Sequence, residues 1–101
     1  MTTLSKSRCN LAEKLLNQFI KKYSSVAGDA KVYSQDEWDN DRKEQYGRNA
    51  YATMIIDGSG FYEMFNWYSM KKELEQFHKM LEEHKFYFEL GYAWSVHVYD
   101  A

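Results

Sequence analysis

The side chains in this sequence that could do chemistry are three histidines, one cysteine and a few closely spaced acids. His78, His84 and His97 are the only histidines. His78 and His84 are six residues apart, which on a helix sets them on different faces. No His-Glu-x-x-His or Cys-x-x-Cys spacing occurs, so a zinc site would have to assemble across separate elements. The expectation is two solvated helix histidines and one strand histidine. Cys9, with a distant histidine and acid, would make a nucleophile dyad or triad. Near a helix start and beside Ala12 and Leu16, it reads instead as a small core residue. Were it exposed, the helix N-terminus would lower its pKa. The pairs Glu82/Glu83 and Asp39/Asp41 read as solvated, because nothing marks the burial that would raise a carboxyl pKa. Asp57-Gly-Ser-Gly60 matches the middle of a calcium loop, but Met54, Ile55 and Ile56 upstream cannot ligate a hard cation. No Lys-Ser/Thr follows it, as a phosphate-binding loop would need. It reads as a turn. No catalytic residue, metal site or cofactor is expected, and the chain is read as not an enzyme.

The elements that would position these groups follow from periodicity. Residues 8–24 form an amphipathic helix, with Leu11, Leu15, Leu16, Phe19, Ile20 and Tyr23 in one stripe. Ser5 or Ser7 is the expected N-cap, Lys21 and Lys22 oppose the dipole, and Gly28 is close enough to end the helix. Lys31 to Ser34 is a short strand. Ser34 and Glu37 have capping-box spacing, after which Trp38, Arg42 and Tyr46 share a helical face, so residues 36–46 are a short helix or an acidic loop. Asn49 to Tyr68 reads as a β-hairpin, with 51–56 and 61–67 flanking the Asp57–Gly60 turn. That pairing buries Phe65 and Trp67 against Ala52 and Ala50, and leaves Tyr51 and Tyr62 together on the other face. Ser69 caps a second helix, about 70–85, whose stripe is Met70, Leu74, Phe77 and Leu81. Phe86 to Tyr99 alternates with period two and contains no Lys, Arg or Pro. It reads as an inner strand, unless Gly91 breaks it into a small hairpin.

The predicted order is α–β–(α)–β–β–α–β. The fold class is α+β: a two-layer sandwich in which two amphipathic helices pack a mainly antiparallel sheet of about four strands. One sheet face then lacks a helix, and water, the acidic segment or a partner must meet it. The α–β–β–β–α portion is similar in topology to double-stranded-RNA binding domains, with Ser69-Met-Lys-Lys72 at the second helix start. The glycines expected there are absent, the second helix is acid-rich and a further strand follows.

With 101 residues, the chain is one domain, 1–101. Its 18% aromatic content is heavy enough to furnish a contact surface as well as a core. The single cysteine excludes an internal disulfide. Neither a signal-peptide h-region nor a membrane-spanning apolar run is visible, so the expectation is a cytoplasmic protein without a membrane partner. Net charge is −2, but residues 1–22 carry five basic groups against one acid, while 29–57 and 58–101 each carry seven acids against four bases. No basic field of the kind that drives general nucleic-acid binding is present, so direct nucleic-acid binding is not expected.

These observations select a non-enzymatic protein-binding module, an inhibitor or adaptor that occupies a partner's surface. Its candidate contact set is Asp36, Glu37, Trp38, Asp39, Asp41, Glu44, Tyr46, Tyr51 and Tyr62. Aromatic anchors would supply affinity, and acids would supply steering toward a basic groove, such as that of a nucleic-acid-binding complex. Small inhibitors encoded by phages and mobile elements, including those that block defence complexes, often have this composition. The alternatives are a small nucleic-acid-binding domain using Arg8, Lys14, Lys21, Lys22, Lys71 and Lys72, and an enzyme using Cys9 or a histidine. An unpaired strand edge or an open aromatic face would also let the chain pair with a second copy of itself.

Overall fold

The computed structural model describes residues 5–101. Helix α1 (Lys6–Lys22) is followed by a short helix α2 (Ser24–Ala27), strand β1 (Lys31–Ser34) and a π-helical turn (Glu37–Arg42). Strand β2 (Ala52–Ile55), helices α3 (Phe61–Trp67) and α4 (Lys71–Glu83), and strands β3 (Phe86–Leu90) and β4 (Ser95–Asp100) complete the chain. The fold is α+β, with one four-stranded antiparallel sheet in the order β1-β2-β4-β3. No helix among the described residues is long and apolar enough to cross a membrane.

Helix α1 forms where its stripe lies. Ser5 Oγ accepts from the Arg8 N–H, Lys21 and Lys22 occupy the last turn, and Ala12, Leu15, Leu16 and Phe19 are buried. The helix stops at a Tyr23 cap, and Gly28 ends α2 instead. Leu74, Phe77 and Leu81 of α4 meet the α1 stripe over the sheet residues Ala52, Met54, Val96 and Val98. Phe77 sits at the centre, edge-on to Phe19 at 4.8 Å, Phe65 at 5.0 Å and Phe88 at 5.2 Å. Each such side chain contributes roughly 1.5–3 kcal/mol of burial before entropy is counted.

One strand expectation is corrected, and one left open is resolved. Residues 61–67 are a helix, not the second arm of a hairpin. Both edges of β2 are already taken, by β1 and β4, so no strand can lie beside it there. Phe61, Met64 and Phe65 instead bury one helical stripe, and the segment has no β-branched residue to resist that conformation. The Asp57–Gly60 turn is real but leads from strand to helix. Ser59 Oγ donates to the Ile56 carbonyl and accepts from the Phe61 N–H, and Gly60 N–H bonds to the Val26 carbonyl.

The stretch Phe86–Tyr99 is not one strand but a hairpin broken at Gly91, whose N–H bonds to the Ser95 carbonyl. Its second arm, β4, is the inner strand, and its first arm, β3, is an edge. With 61–67 helical, the order is no longer α–β–β–β–α, and the topological likeness to double-stranded-RNA binding domains does not hold. Ser69 does not cap α4. Met70 takes the N-cap position without a side-chain bond, because Tyr68 and Met70 both turn the chain at φ 55°.

The sheet face away from the helices is met by the acidic segment. Ser34 and Glu37 form the reciprocal capping box, with Ser34 N–H on Glu37 Oε1 and Glu37 N–H on Ser34 Oγ. That box starts the π-helical turn, which lowers Trp38 onto His97, the two rings 4.9 Å apart.

Candidate protein-interaction surface

The segment 35–49 sorts the expected contact residues into two groups. Asp36, Glu37, Asp41 and Tyr46 are exposed and Glu44 is half-buried. Trp38 and Asp39 are not on the surface. The Trp38 indole N–H donates to the Tyr46 carbonyl at 2.8 Å, and the ring packs against Tyr33, Tyr92, Trp94 and His97. Asp39 is only 7% exposed, so it is not the solvated acid its spacing suggested. Its Oδ2 accepts from the Asn49 N–H at 3.0 Å, tying the far end of the loop to the turn, while its buried Oδ1 has no partner among the described residues. The exposed acids are partly spoken for. Asp36 accepts from Asn40, and Arg42 pairs with Glu44 at 2.9 Å. The two Ser34 bonds hold the Glu37 carboxyl below its ordinary pKa.

Tyr51 and Tyr62 do not join this group. Tyr51 lies on the helix side of the sheet, its ring 5.4 Å from Phe86 and its hydroxyl on Asp100. Tyr62 is half-buried on α3, beside Gly58–Gly60. The hairpin that would have set them side by side does not exist. Arg8, a candidate phosphate contact, is engaged as well. It pairs with Asp100 at 2.8 Å, donates to the His84 and Lys85 carbonyls, and lies 4.0 Å over Phe86.

Beneath Trp38 is a polar chain that composition did not reveal. His97 Nδ1 is 2.7 Å from Thr53 Oγ1, and Nε2 is 2.8 Å from Ser95 Oγ, which also accepts from the Tyr92 N–H. On distance alone this is a hydroxyl, a base and an orienting group. All three residues are buried, however, and Ser95 has no exposed surface by which an electrophile could reach its hydroxyl. Gly47 and Gly91 close over the imidazole. A Cβ on Gly47 (φ 77°) would fall 2.0 Å from its Cε1, and one on Gly91 would fall 2.6 Å from its Nε2. The chain of bonds joins the β3–β4 turn, β4 and β2, and Trp38 packs the acidic segment onto it.

Burial lowers the His97 pKa from 6.5 to about 4. Between those values only the unfolded chain binds the proton, so stability falls as pH drops through that window. The loss reaches about 2.5 kcal/mol at about pH 4.5. Urea unfolding at neutral and at acid pH should show this loss in the wild type and a smaller one in His97→Gln.

Cys9 is half-buried on the α1 flank. Burial first, then Glu13 and Asp36, push its thiol pKa up, in keeping with a thiol that packs on the flank of the core rather than an exposed one. Among the described residues, no three His, Cys, Asp or Glu side chains gather where a metal could be held.

The surface that stands out is aromatic and runs along the β3–β4 turn. Tyr46 meets Tyr92 edge-on at 5.2 Å, and Tyr92 lies parallel to Trp94 at 4.5 Å. The Tyr92 hydroxyl bridges the Gln45 N–H and Glu44. On the other side of the turn, Asn66 Nδ2 donates to the Ala93 carbonyl at 2.8 Å, joining the turn to the end of α3. The next two residues are Trp67 and Tyr68, 75% and 66% exposed. Trp67 was expected inside a hairpin. In the helix it falls two positions beyond the buried Phe65 and so points away from the stripe. Tyr68 borders an open groove of about 430 Å³ with Lys71, Leu74, Glu75 and His78. The signal that could have located Trp67 is the 61, 64, 65 spacing, which leaves it no inward position on a helix.

No protein-family model, curated protein or solved structure matches the chain.

Proposed function

We propose that this chain is a non-enzymatic protein-binding module, an inhibitor or adaptor that acts by occupying a partner's surface. The observation that carries this reading is the exposure of Trp67 and Tyr68 on the corner between α3 and α4. Trp and Tyr are the residues most enriched among those that dominate binding energy, because they remove large apolar area from water while ordering few torsions. The corner also holds Tyr68 and Met70 at positive φ, which costs roughly 1–3 kcal/mol per residue. The exposed rings are unfavourable for the isolated fold and favourable for a partner that takes them up. Tyr46, Tyr92 and Trp94 extend the aromatic surface toward the acidic segment. There Asp36, Glu37, Asp41 and Glu44 would steer a basic partner surface, such as that of a nucleic-acid-binding complex. Trp38, Asp39 and Tyr51 are buried and have no part in the contact set.

The test is capture of partners from the source lysate on the tagged protein, with and without nuclease treatment, beside the double variant Trp67→Ala/Tyr68→Ala. Both side chains lie largely in water, so the variant should unfold within about 0.5 kcal/mol of the wild type. Its affinity for the captured protein should fall about 30-fold or more. A nuclease-resistant partner bound equally by both proteins would reject this surface. Recovery of nucleic acid alone would reject the protein-binding reading.

A further inference from the structure

The sheet has two edges, and they are finished differently. β1 is four residues long, opens on Lys31 and runs directly into the Ser34–Glu37 capping box. A short, charged and interrupted strand is a poor template for another chain. β3, Phe86-Tyr-Phe-Glu-Leu90, has no Lys, Pro or Gly, and no bulge interrupts its five-residue register with β4. It also holds two of the chain's exposed large apolar side chains, Tyr87 at 42% and Leu90 at 38%.

The hydrogen-bond register says which groups this edge offers. Ala101 N–H bonds to the Lys85 carbonyl, and Gly91 N–H bonds to the Ser95 carbonyl. Odd-numbered residues of β3 therefore bond inward to β4, and Phe86, Phe88 and Leu90 turn their N–H and C=O groups outward. Among the described residues β3 has no second strand neighbour.

We propose that β3 pairs antiparallel with β3 of a second copy, about a two-fold axis at Phe88, giving a continuous eight-stranded sheet across a homodimer. In this pairing the strand is self-complementary. Phe88 then faces Phe88, each Phe86 faces the other copy's Leu90, and about six main-chain hydrogen bonds close between outward groups. On the helix face, Leu90 gains an apolar neighbour. On the opposite face, each Tyr87 stands across from the other copy's Glu89 in a narrow non-hydrogen-bonded pair, where a phenol can donate to a carboxylate. Register is specified as well. Sliding the pairing to centre on Glu89 sets that carboxylate against its own copy, which like-charge repulsion disfavours. The dimer sends the two β3–β4 turns to opposite ends of the sheet.

Sedimentation velocity of the wild type up to millimolar concentration tests this, beside two variants at exposed positions. Leu90→Pro removes an outward N–H that has no intramolecular partner, so pairing with β4 survives. Tyr87→Glu sets carboxylates opposite one another across the seam. The wild type should sediment as a dimer. Each variant should retain the wild-type far-ultraviolet circular dichroism and raise the dimer dissociation constant about tenfold or more. If Leu90→Pro fails to fold, Tyr87→Glu decides alone. A wild type that stays monomeric throughout, or a dimer indifferent to a folded Tyr87→Glu, would overturn the proposal.

Discussion

Trp38→Ala is expected to remove about 3–5 kcal/mol of stability, the usual result of deleting a buried Trp side chain. A domain of this size has about 5–15 kcal/mol in total, so the loss takes about a fifth of it or more. The effect is large because Trp38 does three things at once. It fills the space above His97, it receives Tyr33, Tyr92 and Trp94 around its ring, and its indole N–H satisfies the Tyr46 carbonyl. Without it, the buried Thr53–His97–Ser95 chain faces a cavity that water can enter, and the acidic segment loses its anchor. The midpoint of thermal unfolding should drop by about 15 °C or more. Guanidinium unfolding provides the check. A loss below about 1 kcal/mol would mean that the segment does not seat on the sheet through Trp38.

Leu16→Asp should leave no folded protein at all. Leu16 is fully buried in the α1 stripe, within the cluster that joins α1, α4 and the sheet. The substitution removes roughly 1.5–3 kcal/mol of burial and adds a carboxylate that cannot ionise without water or a partner. The buried cluster around it is made of apolar and aromatic side chains and holds no charged partner. Far-ultraviolet circular dichroism at 25 °C and at neutral pH would show a coil spectrum; a native spectrum would contradict the core described above.

α1 was legible because its signals are local: an unbroken stripe, a serine before it and two lysines at its end. The capping box at Ser34 and Glu37 was legible for the same reason. The segment 61–67 was not. Phe61, Phe65 and Trp67 fit a period of two as readily as Phe61, Met64 and Phe65 fit a period of 3.6, and seven residues are too few to arbitrate. What decides is non-local, namely that β1 and β4 occupy both sides of β2. For 86–99, Gly91 left open both one strand and a small hairpin, and the structure takes the hairpin. The candidate site shows the same division. Five acids within nine residues can be read from composition. That Asp39 is buried cannot, because the loop it anchors is closed by Gly47 against His97, fifty residues further along the chain. Trp67 passed from expected core to exposed surface solely because its segment is a helix.

The central claim is that a protein partner is held at the α3–α4 corner. The direct measurement is site-specific photo-crosslinking in nuclease-treated source lysate, with a benzophenone amino acid placed at position 67 and, as a control, at the exposed Lys21 of α1. The account predicts one dominant protein adduct from position 67 and none of that adduct from position 21. No adduct at position 67, or the same adducts from both positions, would contradict it.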